Sequence, residues 1–210
     1  RNGILDSNED DGDASFPEYD NADGVLNHGI APFITVYGRE MDTALDNQPR
    51  INLNGDIPQI QEAIRRYFTE GELSEATVNF IIGLKAASFS FMQLDSPARL
   101  FVQGASAEAL EQLPPQVRES PVTLEELPYI MERFSVRRRE QMSQPVMGLI
   151  NLNAAPQRVL ELVPGVTGEV STAIVNSRRG LEAATLRTVA WPLMQGVVDV
   201  ETFWRMAPHL

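Results

Sequence analysis

Cysteine is absent from this sequence of 210 residues, and histidine occurs only twice, at His28 and His209. Disulfide frameworks, thiol catalysis, iron–sulfur clusters and Cys/His zinc sites therefore lack their ligands. The absence fixes no compartment. Positive charge is also scarce: 17 Lys and Arg face 29 Asp and Glu, giving a formal net charge of −12 and a pI near 4.6. Such a field repels DNA phosphates and anionic lipid, and it favours cations or basic protein surfaces. No apolar run approaches the roughly 20 residues of a membrane helix; the longest, Phe80–Ala87 and Val197–Val200, are short and interrupted. There is no Gly-x-Ser-x-Gly elbow, P-loop or Rossmann glycine motif, and His28 has no adjacent nucleophile. The expectation is a non-enzymatic protein. With no initiator Met and no signal peptide ahead of Arg1, the sequence is expected to be an excised soluble part, any membrane anchor lying upstream.

What is there is globular, with 43% hydrophobic residues. Residues 1–30 are a composition island. Asp6, Glu9, Asp10, Asp11, Asp13, Glu18, Asp20 and Asp23 face the single cation Arg1, so over half of the net charge of −12 sits in a seventh of the length. Gly3, Gly12, Gly24 and Gly29 punctuate it as loop. Mutual repulsion among these acids would be relieved by a cation. Asn2-Gly3-Ile4-Leu5-Asp6-Ser7-Asn8-Glu9 fits the second half of an EF-hand-type loop. Asn2 supplies a side-chain oxygen, Gly3 the sharp turn, Ile4 a backbone carbonyl, Asp6 a direct or water-mediated ligand, and Glu9 a bidentate one. Calcium wants about 6–8 hard oxygens, and a compact loop can supply them. The first acidic ligands of such a loop are expected upstream of Arg1, unless Asp10, Asp11 and Asp13 replace them. A second cluster offers Asp20, Asn21, Asp23, Val25 and Asn27, but Ile30 stands where an acid is needed. Both clusters also read as Gly/Asn/Asp surface turns needing no metal.

Pro32–Gly38 has the β-branched and aromatic content of a strand. Helical signals follow. Ile57, Ile60, Ile64, Tyr67 and Phe68 recur at helical spacing after the N-cap candidate Asp56, and Gly71 closes that stretch. Ser74-Glu75-Ala76-Thr77 opens the next helix, and Glu108–Gln112 is a short one stopped by Pro114-Pro115. Thr123-Leu124-Glu125-Glu126 is a capping box that predicts a helix over Thr123–Arg138 with a basic finish at Arg137-Arg138-Arg139. That triplet reads as a solvated helix end ahead of a contact with an acidic partner. Pro156–Val163, Gly168–Arg179 and Val200–Met206 complete a mainly helical second half.

Arg50-Ile51-Asn52-Leu53-Asn54 recurs as Leu149-Ile150-Asn151-Leu152-Asn153, each copy leading into an amphipathic helix. Asn54 and Asn153 are candidates for N-caps or Asx turns. Two related helical modules are expected. The fold class is α+β and predominantly helical: a small β core with a large α-helical domain containing two helix-hairpin-helix-like (SAM-like) modules. The divisions are 1–50 for the acidic loops and core strand, 51–145 for the first module, and 146–210 for the second. Leu162-Val163-Pro164-Gly165-Val166-Thr167 with Ser171, Ile174 and Arg178 resembles a helix-hairpin-helix unit. Thr167 occupies the place of its second glycine and Glu169 adds negative charge at the phosphate position, so the unit reads as packing with no nucleic acid bound.

Ile150-Asn151-Leu152-Asn153-Ala154-Ala155-Pro156, continued by Val159-Leu160 and Val163-Pro164-Gly165-Val166, carries a family resemblance. It resembles the Asn-x-Asn-Thr-Ala-Pro…Leu-Pro-Gly signature of K-type minor pseudopilins of bacterial type II secretion systems, over most of residues 32–180. The resemblance implies a pilin helix upstream, a small α+β core with an inserted helical domain, and a place at the tip of a periplasmic pseudopilus. It also implies an inner-membrane anchor, two other minor pseudopilins as partners, and bound calcium, with Asn2, Ile4, Asp6 and Glu9 as ligands. Ala154 departs from the signature Thr, and the closing pilin strands are not found before Leu210. A DNA-binding helix-hairpin-helix protein of the competence type shares the signature string and is the alternative; it should carry a basic face.

Overall fold

The computed structural model describes residues 39–40, 42–69, 71–138, 141, 144 and 146–210. The candidate calcium ligands from Asn2 to Asn27, and the predicted strand at 32–38, lie outside the described residues. What is described is a predominantly helical α+β fold with two short strand pairs.

The first helix hairpin follows the sequence signals. Asp56 takes an extended N-cap conformation (φ −80°, ψ 146°), Pro58 follows in the first turn, and α1 runs over Ile57–Tyr67 with Ile60 and Ile64 buried. Phe68 ends the helix by turning extended, its N–H returning to Ile64 O. Its ring stacks on Phe134 at 5.4 Å between centroids, a contact that continued helix would redirect. Gly71, at φ +95°, makes the turn. Helix α2, Glu75–Ala86, opens on Ser74, whose hydroxyl accepts from Thr77 N at 3.2 Å.

After α2 the chain is built of short turns. Residues Phe91–Gln93, Pro97–Leu100 and Pro115–Val117 are single 3₁₀ turns around α3, Ala107–Glu111, which Ser106 caps. The long helix predicted over Thr123–Arg138 does not form. The capping box forms, with Thr123 N donating to Glu126 Oε2 at 2.8 Å and Glu126 N to Thr123 Oγ1 at 3.4 Å. Yet α4 spans only Leu127–Arg133, and Phe134–Ser135 becomes β3. Strand β3 lies parallel to β2, Ile51–Asn52, with Ile51 opposite Phe134 and Asn52 opposite Ser135. Burial decides the outcome: Phe134 and Ile51 both enter the core. Arg137 and Arg138 are consequently not a helix end, and Arg139 lies outside the described residues. Arg137 follows the strand, and its Nη1 reaches Asp42 Oδ2 at 3.4 Å.

Strand β1, Arg39–Glu40, pairs antiparallel with β4, Val146–Met147, and brackets the first hairpin. The second half then contains α5 (Gln157–Leu160), α6 (Gly168–Ser177), α7 (Trp191–Met194) and α8 (Val200–Met206). Helix α5 is shorter than the predicted Pro156–Val163, because Leu162 and Val163 continue as turns toward Pro164. One hydrophobic cluster joins both halves. Helix α8 is the main bridge: buried Trp204 donates from Nε1 to Phe101 O at 3.0 Å, and the Arg99 guanidinium lies 5.3 Å from its ring centroid.

Candidate interaction site

The two Ile-Asn-Leu-Asn copies adopt the same local structure. Asn52 Oδ1 accepts from Asn54 N at 2.8 Å, and Asn151 Oδ1 accepts from Asn153 N at 2.9 Å. These are paired Asx turns. One residue further on, Gly55 N and Ala154 N donate to the carbonyls of Asn52 and Asn151 at 2.9 and 3.2 Å. The turn therefore belongs to the first asparagine of each copy. The second, expected to make the turn or the N-cap, reaches across the fold. Asn54 Nδ2 donates to Val136 O at 2.8 Å, and Asn153 Nδ2 donates to Leu186 O at 2.7 Å. Asn153 Oδ1 also accepts from Trp191 Nε1 at 3.0 Å. The leucine between the asparagines, Leu53 or Leu152, is buried in both copies.

A cation from the second helix region of each module closes the turn. Lys85 Nζ donates to Asn54 O at 3.2 Å. Arg178 Nη1 donates to Leu152 O at 2.7 Å and Ala155 O at 2.8 Å. Burial, and after it the charge on Arg179, draws Arg178 below its usual pKa. Each module thus consists of an Asx turn, a helix hairpin and a cation that returns to the turn's carbonyls.

The Pro164-Gly165 hairpin is where a helix-hairpin-helix unit would meet phosphate. Gly165 has φ +86°, and a Cβ placed on it would lie 2.9 Å from Arg205 Cβ and 3.6 Å from Thr202 O. Helix α8 therefore covers this face of the turn. The first turn of α6 is capped by Thr167, whose Oγ1 accepts from Val170 N at 3.3 Å.

Surface chemistry concentrates elsewhere. Of the five large apolar side chains exposed among the described residues, Leu45, Tyr129 and Met194 line one open cleft of about 750 Å³. One wall comes from the 42–50 loop and α4, the other from residues 184–188 and 194–195. A neighbouring hollow of about 390 Å³ shares Leu45, Glu132, Arg187 and Thr188 with it and reaches Asn151, Asn153 and Trp191. Exposed apolar side chains gathered in this way suit a protein contact. The two carboxylates on the cleft are already engaged: Asp46 Oδ2 lies 2.9 Å from Arg133 Nη1, and Glu132 Oε1 lies 3.9 Å from Arg133 Nε. The N–H of Gln48 and then the Arg133 guanidinium hold Asp46 below the usual carboxylate range. Arg133 extends the contact to Tyr67, 5.5 Å from the ring centroid. Asp46 thus serves as an acceptor of structural bonds, from Gln48 N at 3.0 Å and Arg133 Nη1 at 2.9 Å.

Among the described residues no group of three or more His, Cys, Asp or Glu gathers as a metal site. The proposed ligands Asn2, Ile4, Asp6, Glu9, Asp20, Asn21, Asp23, Val25 and Asn27 all lie outside those residues. Comparison with known families, curated proteins and solved structures returns no match.

Two polar centres were not anticipated from the sequence. Asp42, buried at 4% exposure, accepts from Ser135 Oγ at 2.9 Å and lies between Arg50 and Arg137, at 3.6 and 3.4 Å. Glu126, buried at 5%, accepts from Ser74 N at 2.6 Å, Thr123 N at 2.8 Å, Thr77 Oγ1 at 3.0 Å and Thr123 Oγ1 at 3.1 Å. Burial pushes its pKa up, but these donations outweigh burial and the net shift is downward. The capping box gave a signal for Glu126 at Thr123 alone; nothing local pointed to Ser74 and Thr77.

Proposed function

We propose that this chain is the soluble part of a non-enzymatic K-type minor pseudopilin, which assembles at the tip of a type II secretion pseudopilus and aids protein export. One observation carries the reading: the Ile-Asn-Leu-Asn strings on which the family resemblance rests open two helix hairpins with the same Asx turn, and in each a cation bonds nearby carbonyls, Lys85 that of Asn54 and Arg178 those of Leu152 and Ala155. Two further features support it. The open cleft at Leu45, Tyr129 and Met194 is of the kind that serves protein contacts. Helix α8 on the Gly165 turn, with the net charge of −12, disfavours the DNA-binding alternative. On this reading the protein works in the periplasm from an inner-membrane anchor. Its partners are the other minor pseudopilins, and calcium holds the acidic segment in shape with Asn2, Ile4, Asp6 and Glu9 as ligands.

The test is reconstitution. The purified chain, mixed with the soluble domains of the other minor pseudopilins, should elute with them as one complex on size exclusion in the presence of calcium. Separate elution at tens of micromolar would overturn the assembly role. A parallel titration with duplex DNA separates the alternative, which requires tight binding at low salt that weakens steeply as salt rises.

A further inference from the structure

No further inference is drawn: the strongest candidate, the cleft that Leu45, Tyr129 and Met194 line between the 42–50 loop and residues 184–195, is an apolar face edged by charges of both signs, and nothing in the structure shows what covers it.

Discussion

Glu126→Gln should destabilise the fold by about 3 kcal/mol although it preserves the shape of the side chain. The reason is geometric. Oε1 accepts from the backbone N–H of Ser74 and Oε2 from the backbone N–H of Thr123, at 2.6 and 2.8 Å. A glutamine has one oxygen. Whichever way its amide is turned, its NH₂ group faces one of these two N–H donors, and neither can reverse. The hydroxyls of Thr77 and Thr123 can rotate to accept, so they soften the loss without removing it. A bond to a charged acceptor contributes about 1.5–3 kcal/mol and a buried donor left unpaired costs about 1–3 kcal/mol, so a total near 3 kcal/mol follows after partial relaxation. Glu126→Ala removes both acceptors and leaves a cavity as well, and it should cost more, about 4 kcal/mol. Thr77→Val removes a single hydroxyl and should cost about 1 kcal/mol.

Urea unfolding followed by fluorescence of the buried Trp191 and Trp204 measures these differences. An unchanged denaturant slope across the three variants is required for the comparison. The acid limb provides a second readout. Because the folded pKa of Glu126 lies below its unfolded value near 4.5, its contribution is complete above that value and is lost as pH falls through the folded pKa. The gap between wild type and Glu126→Gln should therefore narrow in acid. A Gln variant within about 0.5 kcal/mol of wild type at neutral pH, or a gap that does not change on acidification, would refute the two-acceptor account.

Three more outcomes follow from other parts of the molecule. Gly165→Ala and Gly71→Ala both place a side chain at positive φ, which costs about 1 kcal/mol, but only at Gly165 would the new Cβ meet another helix, 2.9 Å from Arg205 Cβ. Gly165→Ala should thus exceed Gly71→Ala by about 1–3 kcal/mol in chemical denaturation, and equal losses would mean that α8 is not seated on the turn. Asp42→Ala leaves the Ser135 hydroxyl and two arginines without their shared acceptor and should cost about 3 kcal/mol, with Arg137→Ala milder because Arg50 still faces the carboxylate; the reverse order would show that Arg137 alone holds the site. Calcium at about 100 times its Kd should raise stability by about 2.7 kcal/mol, and a chelator should reverse the gain; a thermal melt unmoved by either would remove calcium from the proposed function while leaving the assembly test standing.

How far the sequence carried depended on whether the deciding contact was local. Helix α8 came out as predicted at Val200–Met206, because its cap at Asp199 and its apolar face at Phe203, Trp204 and Met206 are contained within one stretch. Helix α1 ends at Tyr67, short of the predicted close at Gly71, where Phe68 turns extended and stacks on Phe134 far along the chain. The same partner accounts for the largest miss. Residues 134–138 continue a helical pattern and end in arginines, as a helix C-terminus does, yet pairing with Ile51–Asn52 places Phe134 in the core and turns Arg137 toward Asp42. No periodicity within 123–138 carries information about residue 51 or residue 42. The internal echo was legible for the opposite reason. Each copy contains its own turn, donor and acceptor, so like strings gave like structures, and only the assignment of the turn to the second asparagine needed correction. The second asparagine is freed by that correction for a long-range bond in each copy, to Val136 O and to Leu186 O. An Asn-x-Asn string is thus read best as a turn followed by a tether. The turn is fixed by its neighbours in sequence, whereas the tether is fixed only by the fold, which is why the strings could suggest two modules but not how either is tied to the rest of the chain.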